Sequence, residues 1–153
     1  MTMTRSLRST PFLLAALLCG ALAFGPAAPA RAAEGYKVVV HPANPAATVA
    51  RELLARYFLK KATTWPSGKG VTPADQSKDA AVRQAFSRDV LKKSAAEVSA
   101  YWQQQIFSGR AVPPVEKAGD AAVVAFVAGH EGAVGYVSAG ADTPGVKVVQ
   151  VVD

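Results

Sequence analysis

The sequence has only one cysteine, Cys19, which lies in an apolar stretch near the N-terminus. Residues 33–153 therefore contain no cysteine, which excludes a disulfide, a thiol nucleophile and a cysteine metal site from them. The two histidines, His41 and His130, have no partner residues at the spacing of a metal site. Nucleophile-elbow and glycine-rich nucleotide-binding patterns are also missing. We therefore expect a protein that is not an enzyme and that needs no metal or cofactor.

Charged residues of one sign do not cluster along the sequence. The chain carries a net charge of +6, yet its basic residues are scattered and no run is longer than a pair. Three of the arginines lie within residues 1–32, which leaves residues 33–153 with a net charge of about +3. This distribution is typical of a solvated surface, and it argues against a nucleic-acid partner.

The first 32 residues have the pattern of a secretory signal peptide. Arg5 and Arg8 precede a short apolar run over residues 11–24, and Ala30-Arg31-Ala32 supplies small residues for cleavage. The apolar run is shorter than the ~20 residues that span a bilayer. We expect a signal peptide at 1–32, one domain at 33–153, a periplasmic location and no stable membrane insertion after cleavage.

Hydrophobic periodicity divides the remaining chain into alternating strands and helices. A β-branched run predicts a strand over residues 36–41, and apolar residues at helical spacing predict a helix over 45–59 with Asn44 as its N-cap. Residues 63–73 form a loop in this interpretation, with Val71 in a short strand. Three more helices are predicted: one with Val82, Phe86 and Val90 on its apolar face, one opened by the capping box Ser94-Ala-Ala-Glu97, and one capped by Asp120. Two final strands are predicted over residues 132–137 and 146–152, and the pattern indicates a three-layer α/β or α+β domain.

Four short motifs occur in an order that resembles a known family. They are Arg56-Tyr-Phe-Leu-Lys-Lys-Ala-Thr-Thr-Trp65-Pro-Ser-Gly68, then Asp79-Ala-Ala-Val-Arg83-Gln-Ala-Phe86, then Gln105-Ile-Phe107-Ser-Gly109 with Pro113-Pro114, and Gly132-Ala-Val-Gly-Tyr136. The set resembles periplasmic substrate-binding proteins of the phosphate ABC-transporter type. The resemblance implies an α/β fold, specifically a single-lobe periplasmic-binding-protein-like (type 2) domain with a small mixed sheet and about four helices.

The resemblance also implies a site, with one departure. In the family a Ser-Gly-Thr turn at a helix N-terminus holds phosphate, because first-turn amides are unpaired and the helix dipole favours an anion. That turn falls on Ala80-Ala81-Val82, which lacks both hydroxyls. Candidate ligand-binding residues are Ser77, Lys78, Arg83, Asn44 and Thr48. A structural interpretation stays open, in which Arg83 is exposed and pairs with Asp79, and Asn44 and Thr48 only cap and form turns.

Two functions follow from these observations. The first is reversible phosphate or oxyanion binding linked to an ABC transporter, with the permease or another envelope protein as a partner. Since about 121 residues form one lobe, nothing within this chain would close over the anion. The alternative is a periplasmic protein-interaction module that retains the fold, has lost its ligand and exposes an apolar patch to a protein partner.

Overall fold

A computed structural model describes residues 35–153. The predicted signal peptide, residues 1–32, lies outside the described residues. Within residues 35–153, no helix combines the length and the apolar character needed to cross a membrane.

One six-stranded mixed sheet organises the described residues. Its strands are β1 (Tyr36–Val40), β2 (Thr48–Ala50), β3 (Thr72–Gln76), β4 (Val115–Lys117), β5 (Ala133–Ser138) and β6 (Lys147–Val152). Their order across the sheet is β2-β6-β1-β5-β3-β4. Strand β1 is antiparallel to both of its neighbours, whereas β3 is parallel to β4 and β5, and β2 is parallel to β6. Five strands therefore point in one direction, and their carboxyl ends meet at one edge of the sheet.

Four helices cover the sheet on its two faces. They are α1 (Arg51–Phe58), α2 (Ala81–Asp89), α3 (Ala95–Phe107) and α4 (Asp120–Ala128). On one face, α1 and α2 bury Leu54, Phe58 and Phe86 against the sheet, and α3 adds Val98 and Trp102 to the same core. On the other face, valines of α4 pack on Val39 and Val137. The mixed sheet, four helices and three layers confirm the predicted fold class.

Helix α1 begins later than the sequence predicts. Its N-cap is Ala50, and the segment Thr48–Ala50 is a strand paired with Gln150–Val152 of β6. The β-branched Thr48 and Val49 suit a strand, and the pairing satisfies backbone groups that a first helical turn would leave open. Asn44 therefore caps no helix, and the predicted start of this helix near residue 45 is wrong.

The sequence analysis missed β2 and β4, and it predicted only a short strand near β3. The expected strand at Val71 is displaced by one residue, to Thr72–Gln76, and β4 follows Pro113-Pro114, where only extended chain was expected. The sequence of β3, Thr-Pro-Ala-Asp-Gln, has little β propensity, yet four of its five residues are buried. Pairing on both sides with β4 and β5 overrides that weak local preference.

The glycine motif near β5 has a packing explanation. A Cβ at Gly132 would lie 2.0 Å from the carbonyl oxygen of Gly70, and one at Gly135 would lie 2.5 Å from Val123 of α4. The indole nitrogen of Trp65 donates to the Gly132 carbonyl at 3.1 Å. Two of the four sequence motifs are therefore joined by direct contact, and their glycines allow backbone and helix to approach β5 closely.

Candidate functional site

The edge where β3, β4 and β5 end, here called the carboxyl edge, is the natural place for a ligand. Gln76, Lys117 and Ser138 are the last residues of these three strands. Helix α2 begins five residues after the end of β3, and α4 begins three residues after the end of β4, so both helix N-termini lie at this edge. In open α/β sheets, ligands bind outside the carboxyl ends of the strands.

The start of α2 differs from those of the other three described helices. Its N-cap, Ala80, is in the extended conformation and supplies no side-chain cap, and its first turn contains no acidic residue. By contrast, α3 has a complete capping box, and the first turns of α1 and α4 contain Glu52 and Asp120. The first-turn amides of α2 thus meet neither a cap nor a carboxylate of their own helix, and they keep their attraction for an anion.

Arg83 lies beneath this helix start and is buried, with an exposed fraction of only 5 %. Its Nη1 atom is 2.5 Å from Asp75 Oδ2 and donates to the Gln76 carbonyl at 2.8 Å. The open interpretation of Arg83 as an exposed residue paired with Asp79 is therefore wrong. The helix turns this side chain inward, where a carboxylate on β3 compensates the guanidinium.

Asp75 is the centre of a buried polar cluster. Its Oδ1 atom accepts hydrogen bonds from the phenol of Tyr136 and from the Gln76 amide, the latter at 2.9 Å. Burial raises the pKa of Asp75 above the ordinary aspartate value, although Arg83, Tyr136 and Gln76 oppose this shift. Burial and the neighbouring carboxylate also raise the pKa of the Tyr136 phenol well above its ordinary range. The cluster ties the end of β3 to α2 and β5.

The start of α4 is occupied by its own carboxylate. Asp120 is the first helical residue, and the N-cap is Gly119 at φ 92°, so the prediction that Asp120 is the cap is wrong by one position. Its Oδ1 atom accepts from Gln76 Nε2 at 2.8 Å and from the Ser138 amide at 3.0 Å. Burial alone would raise the pKa of Asp120, but these hydrogen bonds outweigh burial and lower it.

Ser77 and Lys78 lie in the short turn between β3 and α2. The turn is closed by a hydrogen bond of 2.9 Å from the Ala80 amide to the Ser77 carbonyl. Ser77 is half-buried and Lys78 is exposed. Lys78 also borders an open groove of about 450 Å³ whose other wall is the first part of α3. The structure therefore brings Ser77, Lys78 and Arg83 together around one helix start, which solvent can reach.

Asn44 and Thr48 lie elsewhere. Thr48 is on β2, four strands away from β3 in the sheet order, which corresponds to about 19 Å at the usual strand spacing. Asn44 follows the end of β1, which is antiparallel to β5 and therefore ends at the opposite edge of the sheet. The five candidate residues consequently do not form one site, and only three of them lie at the carboxyl edge.

The residues that sequence reasoning missed are those that hold this edge together. Asp75 and Gln76 lie beyond the short strand that was predicted at Val71, and their partner Tyr136 was noted only as the end of the glycine motif. A buried charge in a short polar strand has no periodic signal. No group of three or more potential metal ligands occurs within residues 35–153.

Comparison with protein-family models finds no match. Comparison with curated protein sequences finds none either. Comparison with solved structures finds clear similarity of fold. A protein from Clostridium perfringens, assigned as a phosphate ABC-transporter substrate-binding protein and solved with bound phosphate, aligns with a TM-score of 0.60 and 20 % identity, over 76 % of this chain. A phosphate transport receptor of ABC type from Vibrio cholerae aligns with a TM-score of 0.59 and 20 % identity, also over 76 % of this chain.

A third structure, a possible phosphate-binding protein from Planctomyces limnophilus DSM 3776, aligns over 78 % of this chain with a TM-score of 0.58 and 18 % identity. The aligned part is 44 %, 46 % and 42 % of the three neighbours' lengths, so this chain spans less than half of each. At these identities the similarity concerns the fold. Residues 35–153 have the fold of part of a periplasmic substrate-binding protein of the phosphate ABC-transporter type.

Proposed function

We propose that this chain is a secreted, non-enzymatic solute-binding domain that binds a small phosphate-like oxyanion reversibly at the start of α2. The fold similarity supports this general class, since the neighbours are binding proteins and one of them was solved with bound phosphate. In this proposal the chain is periplasmic, and its partner is the permease of an ABC transporter. Each of these assignments beyond the fold is a proposal for this chain.

The observation that carries the proposal is the open N-terminus of α2. Of the four helices in residues 35–153, it is the one with neither a side-chain cap nor an acidic residue in its first turn. It also begins at the carboxyl edge, where parallel strands end. Unpaired amides and the positive end of the helix dipole together favour an anion there.

The three candidate residues at this edge have different roles in the proposal. The exposed ammonium group of Lys78 supplies charge, and the Ser77 hydroxyl supplies a hydrogen bond to an anion oxygen. Arg83 contributes indirectly, because Asp75 and the Gln76 carbonyl engage its Nη1 atom. Its role is to fix the end of β3 and the first turn of α2, so that the amides face outward in a fixed geometry.

The proposed site is open, and its affinity should be low. Lys78 is exposed, and the adjoining groove is open to solvent. Water screens the contacts of an anion in such a place more than in a closed cleft. We expect millimolar binding that weakens as the salt concentration rises.

Calorimetric titration of the chain with phosphate at low salt tests the proposal, with sulfate as the comparison anion. Saturable binding is expected, and Lys78→Gln should weaken it about fivefold, as loss of one exposed charge-assisted contact would. The matched control is Lys61→Gln, an exposed lysine beyond the carboxyl end of α1, which should bind phosphate as the parent does. A parent protein that takes up neither anion at millimolar concentration contradicts the proposal.

A second candidate function, the protein-interaction module, has its own observation. Four of the six large exposed hydrophobic side chains of the described residues lie within ten residues, between the end of α3 and the start of β4: Ile106, Phe107, Val112 and Val115. Phe107 has an exposed fraction of 96 %. Such a concentration is typical of a surface that meets another protein. Sedimentation that shows self-association, and its loss in Phe107→Ser, would support this function, whereas a monomer at high concentration with no cross-linked partner would contradict it.

A further inference from the structure

A groove at the opposite edge of the sheet combines an unusual buried amide with a charged rim. Its volume is about 450 Å³, and it lies between the loop after β1 and the Trp65–Lys69 loop. The residues that matter for its chemistry are Asn44, Pro45, Trp65, Ser67, Lys69 and Glu131. The groove is remote from the start of α2, since Asn44 follows the end of β1 that is distant from the carboxyl edge.

Asn44 is held in place by three of its four polar groups. Its backbone amide donates to the His41 carbonyl at 2.9 Å, and its own carbonyl accepts from Lys147 Nζ. Its side-chain Oδ1 accepts from the Ala46 amide at 2.9 Å, which fixes the orientation of the side-chain amide because only oxygen can accept. The residue has an exposed fraction of only 6 %.

The fourth polar group, Nδ2, is the exception. It donates no hydrogen bond within residues 35–153. It is nevertheless accessible to solvent. Since Asn44 lines the groove, this NH₂ group is a donor available to a ligand inside it. Because this NH₂ group reaches solvent, an acceptor on a ligand can replace water as its partner.

The wall opposite Asn44 is a rigid turn. The Trp65 amide donates to the Lys69 carbonyl at 2.7 Å, and the Gly68 amide donates to the Trp65 carbonyl at 2.8 Å. Gly68 has a φ of 83°, a conformation that favours glycine. The Trp65 side chain is buried against Tyr57 at a centroid distance of 4.9 Å. The turn therefore presents Ser67 and Lys69 from a fixed base, and little ordering is needed when a ligand binds.

The rim carries an exposed ion pair. Lys69 and Glu131 form an ion pair whose side chains have exposed fractions of 50 % and 61 %. An exposed pair of this kind contributes little net stability, so Lys69 can exchange Glu131 for another carboxylate at small cost. The second lysine near the groove, Lys147, is engaged by the Asn44 carbonyl and adds positive potential.

We propose that this groove binds a small organic carboxylate. One carboxylate oxygen accepts from Asn44 Nδ2, the other is paired with Lys69 or bonded to Ser67, and the organic part contacts Pro45 and Trp65. The site is independent of the oxyanion site proposed at α2. It also gives the Trp-Pro-Ser-Gly motif a function besides packing, since this motif forms one wall of the groove.

Propionate titration of the full chain, followed in ¹H–¹⁵N spectra, tests the inference. The side-chain NH₂ signals of Asn44 and the indole signal of Trp65 should shift and saturate at millimolar propionate, while the amides of Ala81 and Val82 stay in place. Propionamide, which has a similar shape and no charge, should leave all of these signals unchanged. No saturable shift with propionate, or equal shifts with propionamide, would overturn the inference.

Two substitutions separate binding from folding. Asn44→Asp keeps an oxygen for the Ala46 amide but replaces the available NH₂ donor with a second oxygen, and Lys69→Gln removes the charge. Each should weaken propionate binding about tenfold or more, as expected for a charge-assisted hydrogen bond. A dispersed spectrum with the parent's thermal midpoint will show that each variant is folded. Parent-like propionate affinity in both folded variants would rule out the proposed contacts.

Discussion

Helices α2 and α4 begin at the same edge of the sheet, each shortly after a parallel strand. Of the two, only α4 has a carboxylate in its first turn. Asp120 places its carboxylate at the start of α4 and receives hydrogen bonds from Gln76 and Ser138. Ala80 provides no side-chain cap for α2, and the first turn of α2 contains no acidic residue. The two helix dipoles have similar positions, but the one at α2 is more available to an external anion than the one at α4.

This difference shows that topology alone does not define an anion site. The fold brings both helix starts to the carboxyl edge, where the first-turn amides would attract an anion. At α4, the chain satisfies that attraction internally. At α2, no acidic residue lies in the first turn, and Asp75 on the preceding strand is paired with Arg83 beneath the helix. Whether a helix start remains open to a ligand therefore depends on the side chains that the chain places there.

The largest expected effect comes from breaking the pair beneath α2. Asp75→Ala leaves the guanidinium of Arg83 buried without compensation and removes the acceptor of Tyr136. Truncating one member of a buried ion pair costs about 3 to 5 kcal/mol. Urea unfolding should show a loss of at least about 3 kcal/mol in the free energy of unfolding, and the same substitution should abolish phosphate binding.

The double variant Asp75→Ala with Arg83→Met provides the control for that prediction. Removing both charges avoids the uncompensated guanidinium, so the double variant should recover part of the stability lost in Asp75→Ala. If the two single effects simply add, the pair beneath α2 is not energetically coupled and the role assigned to Arg83 is incorrect.

The packing of these helices could be predicted in part from the sequence. Periodicity located the apolar face of α2, and the capping box Ser94/Glu97 is present as predicted, because these signals come from residues close in sequence. The polar contacts of Asp75 and Asp120 were harder to predict. The partners of Asp75 and Asp120 are more than ten residues away in sequence, except for the adjacent Gln76 and the nearby Arg83. Separation of Asn44 and Thr48 from Ser77 depends on strand order, which no local pattern encodes.

The buried cluster beneath the α2 start includes the phenol proton of Tyr136, which is donated to Asp75. The pKa of this buried phenol is raised, so the folded state keeps the proton at pH values where the unfolded chain releases it. The free energy of unfolding should therefore fall as the pH rises above about 10, by about 1.4 kcal/mol per pH unit for this group. Tyr136→Phe should be less stable than the parent at neutral pH, because Asp75 loses a donor, and should show a shallower alkaline decline. Urea unfolding between pH 9 and 11 measures both effects, and parallel declines would contradict the assignment.

Ala80→Asp should place a carboxylate at the start of α2, as Asp120 does at the start of α4. The Ala80 backbone is already extended, at φ −68° and ψ 131°, as an N-cap requires. The new carboxylate should stabilise the domain by up to about 1 kcal/mol and reduce phosphate affinity at least tenfold by competing for the same amides. Ala80→Ser, a cap without charge, separates the two contributions and should reduce phosphate binding less. Phosphate affinity unchanged in Ala80→Asp would place the anion somewhere other than the α2 start.

The smallest effect is expected from removing only the charge at α4. Asp120→Asn retains an oxygen that can accept from Gln76 and Ser138, so the free energy of unfolding should fall by no more than about 1 kcal/mol at neutral pH. The pKa of Asp120 is lowered in the fold, so its charge stabilises the protein above the ordinary aspartate pKa and this contribution disappears as the pH falls through the lowered value. Thermal midpoints of parent and variant should therefore differ at pH 7 and converge in acid. Phosphate binding should be unchanged, because the α2 start, where the anion is proposed to bind, is untouched. A second phosphate bound by Asp120→Asn would instead mean that the charge of Asp120 keeps anions away from the α4 start.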